Sequence, residues 1–148
     1  MTAQVPPGPT PPTAAGVAGM QAADAVLADL GLELLSVGEG TAKVGLTVRA
    51  SMTNGYGNTH GGYLFLLADT AFAYACNSRG TATVAAGADI AFLEPTRAGD
   101  TLVATAEERV LRGRSGLYDV RVECGDRVVA EFRGRSRAVP LRPADPLR

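Results

Sequence analysis

The chain carries little with which to hold a metal. Its single histidine, His60, excludes a histidine-rich zinc site and any mechanism that needs two imidazoles per chain. Two cysteines, Cys76 and Cys124, are too few for a thiolate cluster or a disulfide framework, and both read as small buried hydrophobes in a reducing compartment. Charge of one sign is missing as well. Lysine and arginine number 14 against 15 acidic residues, a net charge of −1, so neither a polyanion-binding surface nor a nucleic-acid partner is expected. No basic segment leads into an apolar run near residue 1, so no secretory signal is read and a cytoplasmic location is expected. Internal repeats and domain linkers are also absent from the sequence.

At 148 residues with 46% hydrophobic side chains, the chain has the size and composition of one globular domain with a real core. Five of its nine prolines fall between Pro6 and Pro12. That composition predicts a disordered, proline-rich leader over 1–15. The domain then occupies 16–139, and 140–148 is a short tail.

The chain is organised around 60–79, HGGYLFLLADTAFAYACNSR. This stretch reads as one long apolar helix, opened by His60-Gly61-Gly62 and closed by Gly80, a residue suited to the left-handed position past a helix end. It is shorter than a membrane span and carries Asp69 at its middle, so a buried core helix is expected and no membrane partner. A bare carboxylate among Phe65, Leu66, Leu67, Phe72 and Ala73 is costly unless paired, hydrogen-bonded or wet. His60 and Asp69 are nine residues apart, roughly 13 Å along the axis and on nearly opposite sides of the helix. They can share one reaction centre only if a second copy of the helix packs antiparallel beside the first.

Around this helix the pattern is simpler. Helical spacing over 17–30 ends at Gly31. A strand over 32–37, a turn at 38–40 and an alternating strand with Ala42, Val44, Leu46 and Val48 on one face follow. Residues 51–59, rich in glycine and asparagine, form the loop that feeds the helix. Four strands come after it: 81–93, 100–111, 117–124 and 127–138, with turns at 112–116 and 125–126. Read as consecutive hairpins, they predict an α+β fold, an antiparallel sheet wrapped around one long central helix, which is the hot-dog layout.

The candidate site residues cluster at the helix entrance. Gly61 and Gly62 present unobstructed backbone N–H groups at the positive end of the helix dipole, where an oxygen gaining negative charge is stabilised; two glycines also make a plain loop-to-helix turn. Asp69 can act as nucleophile or general base toward an acyl carbon, or be a carboxylate satisfied by a hydroxyl such as that of Thr70 at a subunit contact. Thr70 can hold a water or the carboxylate. Asn54 can bond to the carbonyl or the water, and His60 can carry a proton or anchor the loop. Arg112, Arg114 and Arg135, with Arg133 and Arg137, lie in the late strands and can meet phosphates; solvated strand faces explain them equally well.

Several of these segments together resemble a known family. Met52-x-Asn54, His60-Gly61-Gly62, Leu67-Ala68-Asp69-Thr70-Ala71-Phe72-Ala73 and Asn77-Ser78-x-Gly80 look like the PaaI group of hot-dog acyl-CoA thioesterases from phenylacetate degradation. So do Phe92-Leu93-x-Pro95, Ala98-Gly99-Asp100-Thr101-Leu102, Gly116-x-Tyr118-Asp119 and Phe132-Arg133-Gly134, so that the likeness covers about 32–138. The resemblance implies metal-free hydrolysis of aryl-acyl-CoA thioesters, with phenylacetyl-CoA and its ring-hydroxylated forms as the substrate class. No cofactor is implied. It also implies homodimers that pair into tetramers, with Asp69 as the catalytic carboxylate acting across the dimer interface. Gly61 corresponds to the carbonyl-polarising N–H, Asn54 and His60 to the neighbouring polar positions, and Thr70 to the hydroxyl beside the acid. Two other readings stay open: a hot-dog hydratase or dehydratase with His60 as base, and a non-catalytic acyl-CoA-binding module.

Overall fold

The computed structural model describes residues 15–140. The expected leader and tail therefore lie outside the described residues, apart from Ala15 and Pro140. Two short helices, α1 (Ala15–Ala23) and α2 (Ala25–Leu30), come first. The spacing over 17–30 predicts one helix; the structure breaks it at Asp24. The Asp24 carboxylate caps α2 by accepting the Leu27 N–H at 3.3 Å, and its other oxygen accepts the Tyr74 hydroxyl at 2.9 Å. A side chain that caps one helix and ties it to another leaves its own backbone extended.

The strands β1 (Glu33–Gly38) and β2 (Thr41–Thr47) form a hairpin through Gly40, whose φ of 73° is reached by glycine without strain. Ala42, Val44 and Leu46 are buried, as their alternation predicts. A 3-10 turn, Ala50–Met52, and the loop through Asn58 then deliver the chain to the central helix α3 (Gly61–Cys76). The helix ends three residues earlier than the glycine signal at Gly80 implies. Asn77 stops it: the Asn77 amide donates to the carbonyls of Ala73 (2.8 Å) and Thr83 (2.9 Å), and its oxygen accepts the Thr83 N–H (2.9 Å). Gly80, with φ 81°, sits in the turn beyond.

Four further strands follow among the described residues: β3 (Thr83–Phe92), β4 (Thr101–Arg112), β5 (Ser115–Cys124) and β6 (Arg127–Ala138). All six strands form one sheet in the order β1-β2-β4-β5-β6-β3, with every pairing antiparallel. The expected run of four hairpins holds only for β4–β5–β6. These three are joined by two-residue turns with left-handed glycines, Gly113 (φ 58°) and Gly125 (φ 62°), so the expected turn over 112–116 narrows to Gly113-Arg114. The link from β3 to β4, residues 93–100, is too long for such a turn. It carries the chain across to β2, and β3 pairs with β6 at the far edge.

Helix α3 contacts all six strands. Leu64, Leu67, Ala68, Ala71, Phe72 and Ala75 are buried against Leu102, Ala104, Ala106, Val120, Val122 and Phe132 from the inner face of the sheet. Each large apolar side chain so buried contributes about 1.5–3 kcal/mol relative to exposure. The core is thus built on the one helix whose N-terminus the sequence singles out. No helix among the described residues is long and apolar enough to cross a membrane.

Candidate active site

The first turn of α3 opens onto a groove of about 450 Å³, lined by Asn54, Thr59, Gly61, Leu64, Phe92 and Thr96 among others. The loop beneath it is tightly tied. The His60 N–H donates to Met52 O and the Thr59 N–H to Thr96 O, both at 2.8 Å, and the Thr96 hydroxyl meets that of Thr59 at 2.6 Å. The Asn54 carboxamide oxygen accepts the N–H groups of Tyr56 (2.9 Å) and Asn58 (3.2 Å). With its oxygen committed to the loop, Asn54 has only its NH₂ to offer the groove. It is therefore a donor here.

His60 is the N-cap of α3. Its Nδ1 accepts the Gly62 N–H at 3.0 Å, so the ring proton resides on Nε2. The Gly62 N–H, expected to face a ligand, is thereby taken. The Gly61 N–H has no acceptor among the described residues. Gly61 is also crowded on its Cα side: a methyl group added there would lie 2.9 Å from Phe92 Cζ. The groove thus gathers two unpaired donors, the Gly61 N–H and the Asn54 amide, at the positive end of a sixteen-residue helix. Such donors favour an oxygen on which negative charge builds.

Asp69 stands elsewhere. It lies eight residues along α3 from Gly61, about 12 Å of rise, and does not line the groove. It falls between Phe65 and Phe72 on the helix stripe that packs on β6, with ring centroids 5.2 and 5.9 Å from that of Phe132. Beyond β6 lies the edge strand β3. The carboxylate is half-buried, and that burial, with no hydrogen bond or cation among the described residues to offset it, holds its pKa above the usual carboxylate value. One face-repeat further on, the Cys76 thiol is pushed up to about 12, chiefly by burial and then by the Asp69 charge. Thr70 does not satisfy Asp69: its hydroxyl donates to Leu66 O at 2.7 Å.

The arginines are also remote from the groove within one chain. Arg112 pairs with Ser115, Ser115 with Arg137, and Arg137 with Val84, eight residues along β3 from Phe92, about 27 Å at strand spacing. Arg114 occupies the adjoining turn. Arg135 donates to Asp89 at 3.0 Å in an exposed pair. Sequence reasoning did not anticipate Thr59, Thr96 and Phe92 in the groove wall. Phe92 is visible as a strand-end aromatic, but its approach to Gly61 spans 31 positions, and no local signal reports it.

Residues 56–131 match the family described as the thioesterase superfamily. Over 117 residues the chain is also 50% identical to the acyl-coenzyme A thioesterase PaaI of Escherichia coli strain K12, spanning 78% of this chain and 84% of that protein. The chain belongs to the thioesterase superfamily. It is a thioester hydrolase of the PaaI type with the hot-dog fold. The structure of the E. coli PaaI protein from the phenylacetic acid degradation operon superposes on this thioesterase with a TM-score of 0.82 at 47% identity, covering 84% of this chain and 91% of that one. A hypothetical thioesterase of Streptococcus pneumoniae TIGR4, solved with coenzyme A, superposes with a TM-score of 0.71 at 27% identity, covering 75% and 88%. Among the described residues, no group of three His, Cys, Asp or Glu side chains is placed to hold a metal ion in this thioesterase.

Proposed function

We propose that this acyl-CoA thioesterase of the PaaI type cleaves aryl-acyl-CoA thioesters, phenylacetyl-CoA and its ring-hydroxylated forms, to the free acid and CoA at a site shared by two copies of the chain. The observation that carries the reading is the separation of Asp69 from Gly61. Among the described residues, one chain holds an unpaired helix-start N–H in a groove and, about 12 Å up the axis, a half-buried carboxylate with no partner. Each is half of an acyl-transfer centre. A second copy, joined through the edge strand β3 with its helix antiparallel, brings the two halves together.

In that assembly the thioester oxygen rests on the Gly61 N–H, with the Asn54 amide as a second donor. Asp69 of the partner subunit either attacks the carbonyl carbon or takes the proton of the water that does; the tetrahedral centre collapses with loss of the CoA thiolate. In the first case water then cleaves the acyl-aspartyl anhydride to release the acid and restore the carboxylate. The raised pKa of Asp69 suits a base working near neutral pH. Arg112 and Arg114 reach the CoA phosphates only from the partner's end of the sheet, and Arg135 stands between the two ends. Two dimers then pair into a tetramer, in the cytoplasm. The hydratase alternative is disfavoured because the His60 Nδ1 lone pair is engaged by Gly62.

Complementation tests the reading directly. Asp69→Asn and Gly61→Pro chains, each nearly inactive alone, are unfolded together and refolded at equal amounts. Heterodimers hold one intact site, so the mixture recovers about a quarter of wild-type turnover by two-fold statistics. A mixture no more active than its components overturns the shared site.

A further inference from the structure

Phe92 ends β3 and lines the groove with 56% of its surface exposed, so its ring is open to whatever occupies the groove. Its ring does not hang loose. An added methyl on Gly61 would lie 2.9 Å from Cζ, 3.2 Å from Cε1 and 3.4 Å from Cε2, so one edge of the ring is seated on the Gly61 Cα. The N–H of that same residue has no acceptor among the described residues. Whatever carbonyl oxygen this N–H takes, the groups bonded to the carbonyl carbon lie within a few bonds of the Phe92 ring. Leu64, Leu93 and Pro95 continue the apolar wall from there, while the groove's polar side chains are those of Asn54, Asn58, Thr59, Glu94 and Thr96.

We infer that Phe92 sets acyl selectivity: its exposed ring packs against the flat acyl group of the substrate whose thioester oxygen is held by the Gly61 N–H. This rests on the thioesterase reading above and adds a specificity residue to it. The occupant is an acyl group because the ring is seated on the residue that holds the carbonyl. A ring there favours an aromatic acyl group over an alkyl chain of similar length, since aromatic pairs gain beyond the area they bury. The CoA arm is the rival occupant, and it is common to every substrate. A ring contacting that arm therefore affects all esters alike.

The test measures kcat/KM of the full-length protein for phenylacetyl-CoA and hexanoyl-CoA, in wild type, Phe92→Leu and Phe92→Tyr. Phe92→Leu lowers the phenylacetyl-to-hexanoyl ratio by about three- to tenfold, and Phe92→Tyr holds it near the wild-type value. Phe92→Met serves in place of the leucine variant if that one fails to fold. A ratio that stays within about twofold of wild type in the aliphatic variant overturns the inference, whether the individual rates fall or not. A wild-type protein that turns over neither ester overturns the thioesterase reading instead, so the two failures are told apart.

Discussion

At the scale of single residues, Gly61 separates two requirements that usually travel together. It is the first residue of α3, where proline is well tolerated, and His60 before it has φ −60° and ψ 131°, a conformation a following proline accepts. Gly61→Ala keeps the N–H but pushes a methyl against the Phe92 ring, whereas Gly61→Pro adds the same carbon and also removes the donor. The proline variant is expected to lose about 10²–10³ more in kcat than the alanine variant, with helix content by circular dichroism equal in both. Equal losses would assign the effect to crowding alone.

Asp69 carries a matching prediction with its sign set by burial. A carboxylic acid whose folded pKa is raised adds no penalty at pH values where both states are protonated; the penalty grows as pH rises above the ordinary carboxylate pKa, where the unfolded chain ionises first, and is fully present above the folded pKa. Asp69→Asn therefore melts higher than wild type at pH 7, and the difference disappears below the ordinary carboxylate range. Under the proposed mechanism the same substitution is expected to abolish turnover. Melting curves across pH for both proteins check the sign: a wild type that is the more stable at pH 7 contradicts the unpartnered carboxylate. On the proposed role of Asp69, function here is held against stability.

At the scale of elements, the C-terminus of α3 shows what the sequence can and cannot announce. Asn77→Ala removes the side-chain hydrogen bonds to Ala73 O, Thr83 O and the Thr83 N–H at a site 4% exposed; the Thr83 groups lose their Asn77 partner, while Ala73 O still accepts the backbone N–H of residue 77 at 3.2 Å. The substitution should cost about 2–4 kcal/mol in urea unfolding, with activity per folded molecule preserved. Nothing local marks Asn77 as the stop, because its partners on β3 arrive only with the fold. Asp24 is similar: its break between α1 and α2 depends on Tyr74, fifty positions away. By contrast β2, α3 and the Gly125-Asp126 hairpin were readable, since alternation, an apolar run behind His60-Gly61-Gly62, and a Gly-Asp turn act within a few residues; the turn at Gly113 was located but read three residues too long. The site divides along the same line. Asn54, Gly61 and His60 are grouped by short spacing, whereas Phe92 enters by tertiary approach. The Gly62 N–H looked free only because the histidine cap was not foreseen.

At the scale of the whole molecule, β3 is the exposed feature. It is ten residues long, sits at the sheet edge, and carries Asp89 as its only charge and no lysine or proline to discourage pairing. Unguarded edges of this kind are templates for another strand. Under the proposed two-fold assembly, Val84→Lys, on a side chain 49% exposed, places two added cations along the joined edges. That variant should run as a monomer in size-exclusion chromatography and lose at least about tenfold in turnover while keeping its far-UV spectrum. A fully assembled, fully active variant would argue against joining through this edge.

The order of the strands has a further effect during synthesis. β3 leaves the ribosome directly after α3, but its partner among the described strands, β6, is the last of them to be made. For some forty residues of elongation, an apolar ribbon with few charges waits without its neighbour. A message truncated ahead of β6 would release a chain whose stickiest strand can never be housed, and such fragments belong in inclusion bodies rather than in any working enzyme.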